Sequence, residues 1–150
     1  MADKLQFELV SPEKLLLSEL VGMVVVPGTE GNFGVLPGHA LFISTVRPGV
    51  IDVYEDGMPT VTERIFVAGG VAEVTPERCT VLADEAVPLA ALDRGVLDRE
   101  ALALETVLAA LTDQIQRLAG DERADAMAER AAAERRLAVS AAKIAALGSQ

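Results

Sequence analysis

Residues able to act as nucleophile, base or metal ligand are sparse in this chain. His39 is its one imidazole and Cys79 its one thiol, so an imidazole-rich metal site, a thiolate cluster and an internal disulfide are all excluded. Cys79 has no histidine near it in sequence and opens the strand-like stretch CTVLA, which reads as a packing residue and not as an activated nucleophile. The glycine-rich pieces Gly28 to Gly34 and Gly69-Gly70 lack the Lys-Ser/Thr of a phosphate-binding loop and read as turns and bulges. The acidic pairs Glu55-Asp56 and Asp84-Glu85 are adjacent, and neighbours along a strand point to opposite faces, so neither pair can flank one substrate. A self-contained active site is not expected, and no metal or cofactor is called for.

The elements that would have to position such residues divide sharply along the chain. All seven prolines lie between Pro12 and Pro88, the five aromatics (Phe7, Phe33, Phe42, Tyr54 and Phe66) lie before residue 67, and there is no Trp. Short β-branched or alternating segments separated by turn residues predict strands near 5–10, 13–18, 21–26, 33–36, 41–45, 49–54, 61–67, 71–75 and 80–86. Gly57 closes a hairpin turn after Glu55-Asp56, and Pro37-Gly38 supplies the two central residues of a type II turn. No gap before residue 90 has room for a helical crossover, so the sheets should be mostly antiparallel, as in a sandwich or barrel.

Past Pro88 the composition turns to Ala, Leu, Glu, Arg and Gln, with 11 alanines in the last 30 residues. Leu97, Ala101, Leu104, Leu108, Leu111, Ile115 and Leu118 alternate spacings of four and three, which lays one apolar seam along a helix. Asp98 is the expected N-cap, Gly120 the expected stop, and Asp121 the cap of a second helix running to about Leu147. The facing seam of that second helix is expected on Ala124, Ala128, Ala131, Ala138, Ala142 and Ala145 with Met127, Leu137, Ile144 and Leu147, a weak partner because alanines bury little area. The predicted architecture is β plus α: an N-terminal antiparallel β-sandwich over 1–89 and a C-terminal antiparallel two-helix hairpin over 90–150.

Thirteen basic against 23 acidic side chains give a net charge of -10, which argues against a bulk nucleic-acid binder. The β part is the acidic one; beyond Met127 the chain is locally basic, with Arg130, Arg135, Arg136 and Lys143 set against Glu129 and Glu134. These cations have no interleaved aromatics for stacking bases. No segment approaches the roughly 20 apolar residues of a spanning helix, so direct membrane insertion is not expected. The opening MADKLQFELV lacks the marks of a signal peptide, which points to a reducing, cytoplasmic compartment.

Three segments in this order carry a resemblance: Glu30 to Ile51 (EGNFGVLPGHALFISTVRPGVI), Ala68 to Val74 (AGGVAEV) and Thr80 to Ala86 (TVLADEA). They closely resemble the epsilon subunits of bacterial F-type ATP synthases, counterparts of the mitochondrial delta subunit, over essentially the whole chain. The resemblance implies a sandwich followed by a helical hairpin and a non-catalytic subunit of the rotating central stalk. It implies gamma and the polar loops of the c-ring as partners, and a peripheral location on the cytoplasmic side of a bacterial inner membrane. By the same resemblance Asn32 and His39, beside the Pro37-Gly38 turn, become ring contacts. Arg130, Arg135, Arg136 and Lys143 become the cations with which an extended hairpin would reach beta subunits and inhibit hydrolysis. Relatives that bind ATP carry an (Ile/Leu)-Asp-x-x-Arg-Ala motif entering the first helix. Here Leu92-Asp93-Arg94 and Leu97-Asp98-Arg99 each match only its start, ending in Val96-Leu97 and Ala101-Leu102, so weak or absent ATP binding is expected. The competing expectation is a free-standing β-sandwich ligand-binding module or enzyme with a helical tail.

Overall fold

A computed structural model describes residues 4–57 and 59–148. The chain divides into two compact units, Met1–Ala91 and Leu92–Gln150. Ten strands build the first: β1 (Leu5–Val10), β2 (Leu15–Val21), β3 (Met23–Gly28), β4 (Gly31–Val35), β5 (Phe42–Val46), β6 (Gly49–Tyr54), β7 (Glu63–Val67), β8 (Gly70–Val74), β9 (Arg78–Ala83) and β10 (Ala86–Pro88). They pair in the order β10-β7-β6-β3-β5-β8-β9-β1-β2, with β4 added on β3. Every pairing is antiparallel except β1 with β9, which is parallel.

Alternation decides which face is buried. Leu5, Phe7 and Leu9 of β1, Val24 and Val26 of β3, Ile51 and Val53 of β6, and Cys79 and Val81 of β9 all point into one core and are almost fully covered. With a single Phe in that set, close packing rests on branched aliphatic side chains, each worth about 1.5–3 kcal/mol when fully buried. The segment expected as one strand over 80–86 is two, β9 and β10. Asp84 and Glu85 break it: Asp84 N–H bonds to Gly69 O (3.0 Å) and Glu85 O accepts from Ala68 N–H (2.8 Å). The chain leaves β9, which pairs with β8, and adds β10 to β7.

Two halves of this sheet meet at one corner. β3 pairs with β6 and β4 along its length but touches β5 through one residue pair, Gly28 with Val46. The corner is held by Arg47 N–H to Pro27 O (2.8 Å) and Thr29 N–H to Thr45 O (3.1 Å). A Cβ on Gly28 would lie 2.8 Å from Gly31 O and 3.0 Å from the Phe33 ring, so the approach of β4 requires glycine there.

The second unit is the hairpin of α1 (Arg94–Ile115) and α2 (Gly120–Gly148). Three expectations about it are corrected. Asp93, not Asp98, is the N-cap; its carboxylate accepts from Val96 N–H at 3.2 Å, because the helix begins one turn earlier than the apolar seam does. Gly120 does not end α1, which stops at Ile115; it has φ +62° and is the first residue of α2. The α2 seam lies on Ala126, Ala133 and Ser140, all buried, with half-buried Arg130, Leu137, Ile144 and Leu147. That set repeats the four-and-three spacing of α1, whereas Ala124, Ala128, Ala138 and Ala145 of the expected seam are exposed. In a helix this rich in alanine, periodicity of small residues does not mark a face, and the few larger side chains decide the register.

Substituting Gly28 by Ala is expected to destabilise the β unit by about 2 kcal/mol, because backbone and ring atoms would have to move apart. Thermal unfolding should show a drop of roughly 10 °C for a unit of this size, with no change in the melting of a hairpin probe.

Candidate functional site

The loop between β4 and β5 is built by the predicted turn. Leu36 O accepts from His39 N–H (3.2 Å) across Pro37 and Gly38, and Gly38 takes the positive φ, 85°, that the third position of a type II turn demands. Gly38 N–H also donates to Pro76 O (2.7 Å), which fastens the loop to the turn between β8 and β9. An edge-to-face contact of Phe33 and Phe42 (centroids 5.2 Å, 78°) joins the two strands on either side of the loop.

His39 sits against Phe42 at 6.2 Å between ring centroids, and its Nδ1 lies 2.7 Å from Ala40 O, a contact that places the proton on Nδ1. Asn32, next to Phe33 on β4, accepts through Oδ1 from Arg47 Nη2 at 2.6 Å, and Arg47 Nη1 donates to Gly28 O. Asn32 and His39 thus belong to one end of the sandwich, linked through the Phe33–Phe42–His39 ring contacts.

Two features of this end were not foreseen from the sequence. Arg47 carries the Asn32 side chain and the Gly28 corner together. Around the turn, Leu36, Leu41 and Ile43 are exposed, Leu41 to 77% and Ile43 to 71%. The run Leu41-Phe42-Ile43 was the available signal: three successive apolar residues entering a strand cannot all face one core. An exposed apolar cluster of this kind supplies no group for proton or phosphoryl chemistry. Cys79 is fully buried and desolvation pushes its thiol up to about 12, so it holds no thiolate at neutral pH.

The two ATP-motif registers fall together at the start of α1, with their groups engaged locally. Asp93 caps the helix, Arg94 Nε pairs with Asp98 Oδ1 at 3.0 Å, and Arg99 reaches back beside Gly95, where an added Cβ would meet Nη1 at 3.4 Å. Leu97 is buried in the seam. On α2, Arg130 is half-buried in the seam and pairs with Glu134 at 3.5 Å; Arg135 and Arg136 are exposed, and Lys143 is half-buried.

The family described as "ATP synthase, Delta/Epsilon chain, beta-sandwich domain" matches residues 4–89. Among curated relatives, the ATP synthase epsilon chain of Rhodospirillum centenum is 56% identical over 100% of this chain and 96% of its own length. That of Rhodospirillum rubrum is 52% identical over 92% of this chain and 97% of its own. A chain in the structure of the Euglena gracilis mitochondrial ATP synthase (OSCP, F1 and c-ring) aligns with a TM-score of 0.70 at 27% identity, over 96% of this chain and 81% of that one. A chain from the central stalk and c-ring of the Tetrahymena thermophila mitochondrial enzyme aligns over 59% of this chain and 69% of that one at 14% identity, with a TM-score of 0.50. A matched sandwich domain that ends where the β unit ends, together with relatives alike over nearly their full length, establishes that the chain belongs to the epsilon-chain family of ATP synthase.

Proposed function

We infer that the chain docks into the rotor of an ATP synthase through the β4–β5 end of its sandwich. As an epsilon chain it is a stalk subunit and not the catalytic one. The observation that carries the docking face is the exposure of Leu36, Leu41 and Ile43 on a loop tied to Pro76 and to the Arg47 corner. A loop already held in one conformation loses little entropy on binding, so its apolar side chains convert efficiently into affinity. This end, with Asn32 and His39 at its border, is assigned to the polar loops of the c-ring, and the remaining sandwich surface to gamma. The reading puts the subunit at the cytoplasmic face of a bacterial inner membrane, held there by partners; among the described residues no helix is long and apolar enough to cross a bilayer.

The hairpin supports a second reading. Against Leu97, Leu104 and Leu111 of α1, the fully buried residues of the α2 seam are small (Ala126, Ala133 and Ser140), with Leu137, Ile144 and Leu147 only half-buried, so the α2 side contributes less buried area. A hairpin held this weakly is suited to open and to present Arg135 and Arg136 to acidic loops of beta subunits, with Arg130 and Lys143 following as the seam separates. ATP is not its regulator in this reading, because Asp93, Arg94 and Asp98 already serve the start of α1.

Leu41→Asp should leave the melting temperature within a few degrees, since the side chain is mostly exposed, yet weaken binding to the assembled rotor about tenfold in a pull-down titration. Unchanged binding would remove the docking face. Calorimetric titration of the subunit with ATP should show no micromolar binding, and a saturable micromolar isotherm would refute the assignment of Asp93 and Arg94 to structure. Truncation after Asp121 should raise ATP hydrolysis by the membrane enzyme; equal rates would exclude an inhibitory hairpin.

A further inference from the structure

Strand β2 ends the sheet order and pairs on one side only, with β1, so it forms a rim of the sandwich. Gln6 N–H bonds to Glu77 O at 2.9 Å, which turns the backbone groups of Gln6 and Glu8 towards β9 and those of Leu5, Phe7 and Leu9 towards β2. Their partners Val21, Glu19 and Leu17 therefore carry the β1–β2 ladder. The residues between them, Leu16, Ser18 and Leu20, direct N–H and C=O to the open side, where among the described residues no further strand lies. Glu19, opposite Phe7, points inward at this rim.

Sheet edges are commonly closed to new strands by shortness, proline, lysine or irregular backbone. The β10 edge is three residues long and ends in Pro88, and β4 has five residues of which Gly31 and Gly34 are two. β2 is seven residues, LLLSELV, without proline, glycine or a cation, and its register shift falls only at its start. Leu15, Leu16 and Leu20 are exposed, at 55%, 37% and 58%, and Ser18 among them is engaged by Gln6 Nε2 at 2.7 Å on the outer face. We propose that β2 is a self-association edge: in the free subunit it pairs antiparallel with β2 of a second copy, about a two-fold axis at Ser18.

Backbone direction and charge select that register. Because Leu16, Ser18 and Leu20 offer the edge groups, a two-fold axis near the middle of the strand can fall at Leu17, Ser18 or Glu19. An axis at Glu19 sets two inward carboxylates directly opposite each other, and like charges so placed repel. An axis at Leu17 pairs only Leu16 with Ser18 and sets Lys14 against Leu20. With the axis at Ser18, Leu16 meets the second copy's Leu20, Ser18 meets Ser18, and Leu20 meets Leu16, so all the edge-facing backbone groups are used. Each exposed leucine of these pairs is then covered by another, and Glu19 meets Leu17 in place of its own copy.

The pairing leaves the docking end open. β5, which follows the β4–β5 loop, lies beyond β8, β9 and β1 from β2, roughly 19 Å away at about 4.8 Å per strand. Failure of this proposal therefore leaves the docking assignment untouched. Sedimentation equilibrium of the full chain should show monomer passing to dimer with a dissociation constant on the order of 10⁻⁵ M, as suits a small interface. Leu20→Lys should weaken the dimer by about tenfold or more, whereas Leu82→Lys, also at an exposed leucine but on β9, two strands in from the edge, should not. Ser18→Cys should give a disulfide-linked dimer on mild oxidation, because its paired Cα atoms stand about 5.5 Å apart, while Glu19→Cys, diagonal to its copy, should not. A monomer at millimolar concentration, equal weakening by Leu82→Lys, or cross-linking of Glu19→Cys as efficient as that of Ser18→Cys would each overturn the proposal. So would a monomeric chain whose rotor binding is abolished by Leu20→Lys, because the edge then serves a different partner.

Discussion

The corner at Pro27-Gly28 and Val46-Arg47 is the constraint on which the β unit depends. A sheet of this many strands must bend back on itself to bury one face, and here the bend is confined to a single residue pair between β3 and β5. Such a corner leaves backbone groups without ladder partners, and the chain satisfies them from Arg47, whose N–H bonds to Pro27 O and whose guanidinium bonds to Gly28 O. Because the same guanidinium holds Asn32, the corner and the start of β4 are tied by one side chain.

That coupling fits a stalk subunit that is not the catalytic one. The β4–β5 loop is anchored at the Gly38–Pro76 bond, at the Phe33–Phe42 contact and through β5 at the corner. The hairpin is made differently. Its α1 seam is leucine-rich, and its α2 seam mixes small Ala126, Ala133 and Ser140 with half-buried Arg130, Leu137, Ile144 and Leu147.

The rim at Glu19 shows a related economy. An inward-pointing charge on an edge strand discourages pairing with a foreign strand, a need made real by the exposed Leu15, Leu16 and Leu20 of β2.

Composition and periodicity alone determined the β-then-α order, the type II turn at Pro37-Gly38, the α1 seam and the absence of an imidazole- or thiolate-based centre, because each rests on local backbone preference or on residue counts. The resemblance carried by three segments already points to the epsilon-chain family. Only the tertiary structure decided the α2 register, since alanine on every side of a helix erases the contrast that marks a face. Only it revealed Arg47 as the pin that joins the Gly28 corner to Asn32. Those contacts join residues 15 and 19 positions apart, and no local pattern encodes which distant strand a side chain will meet.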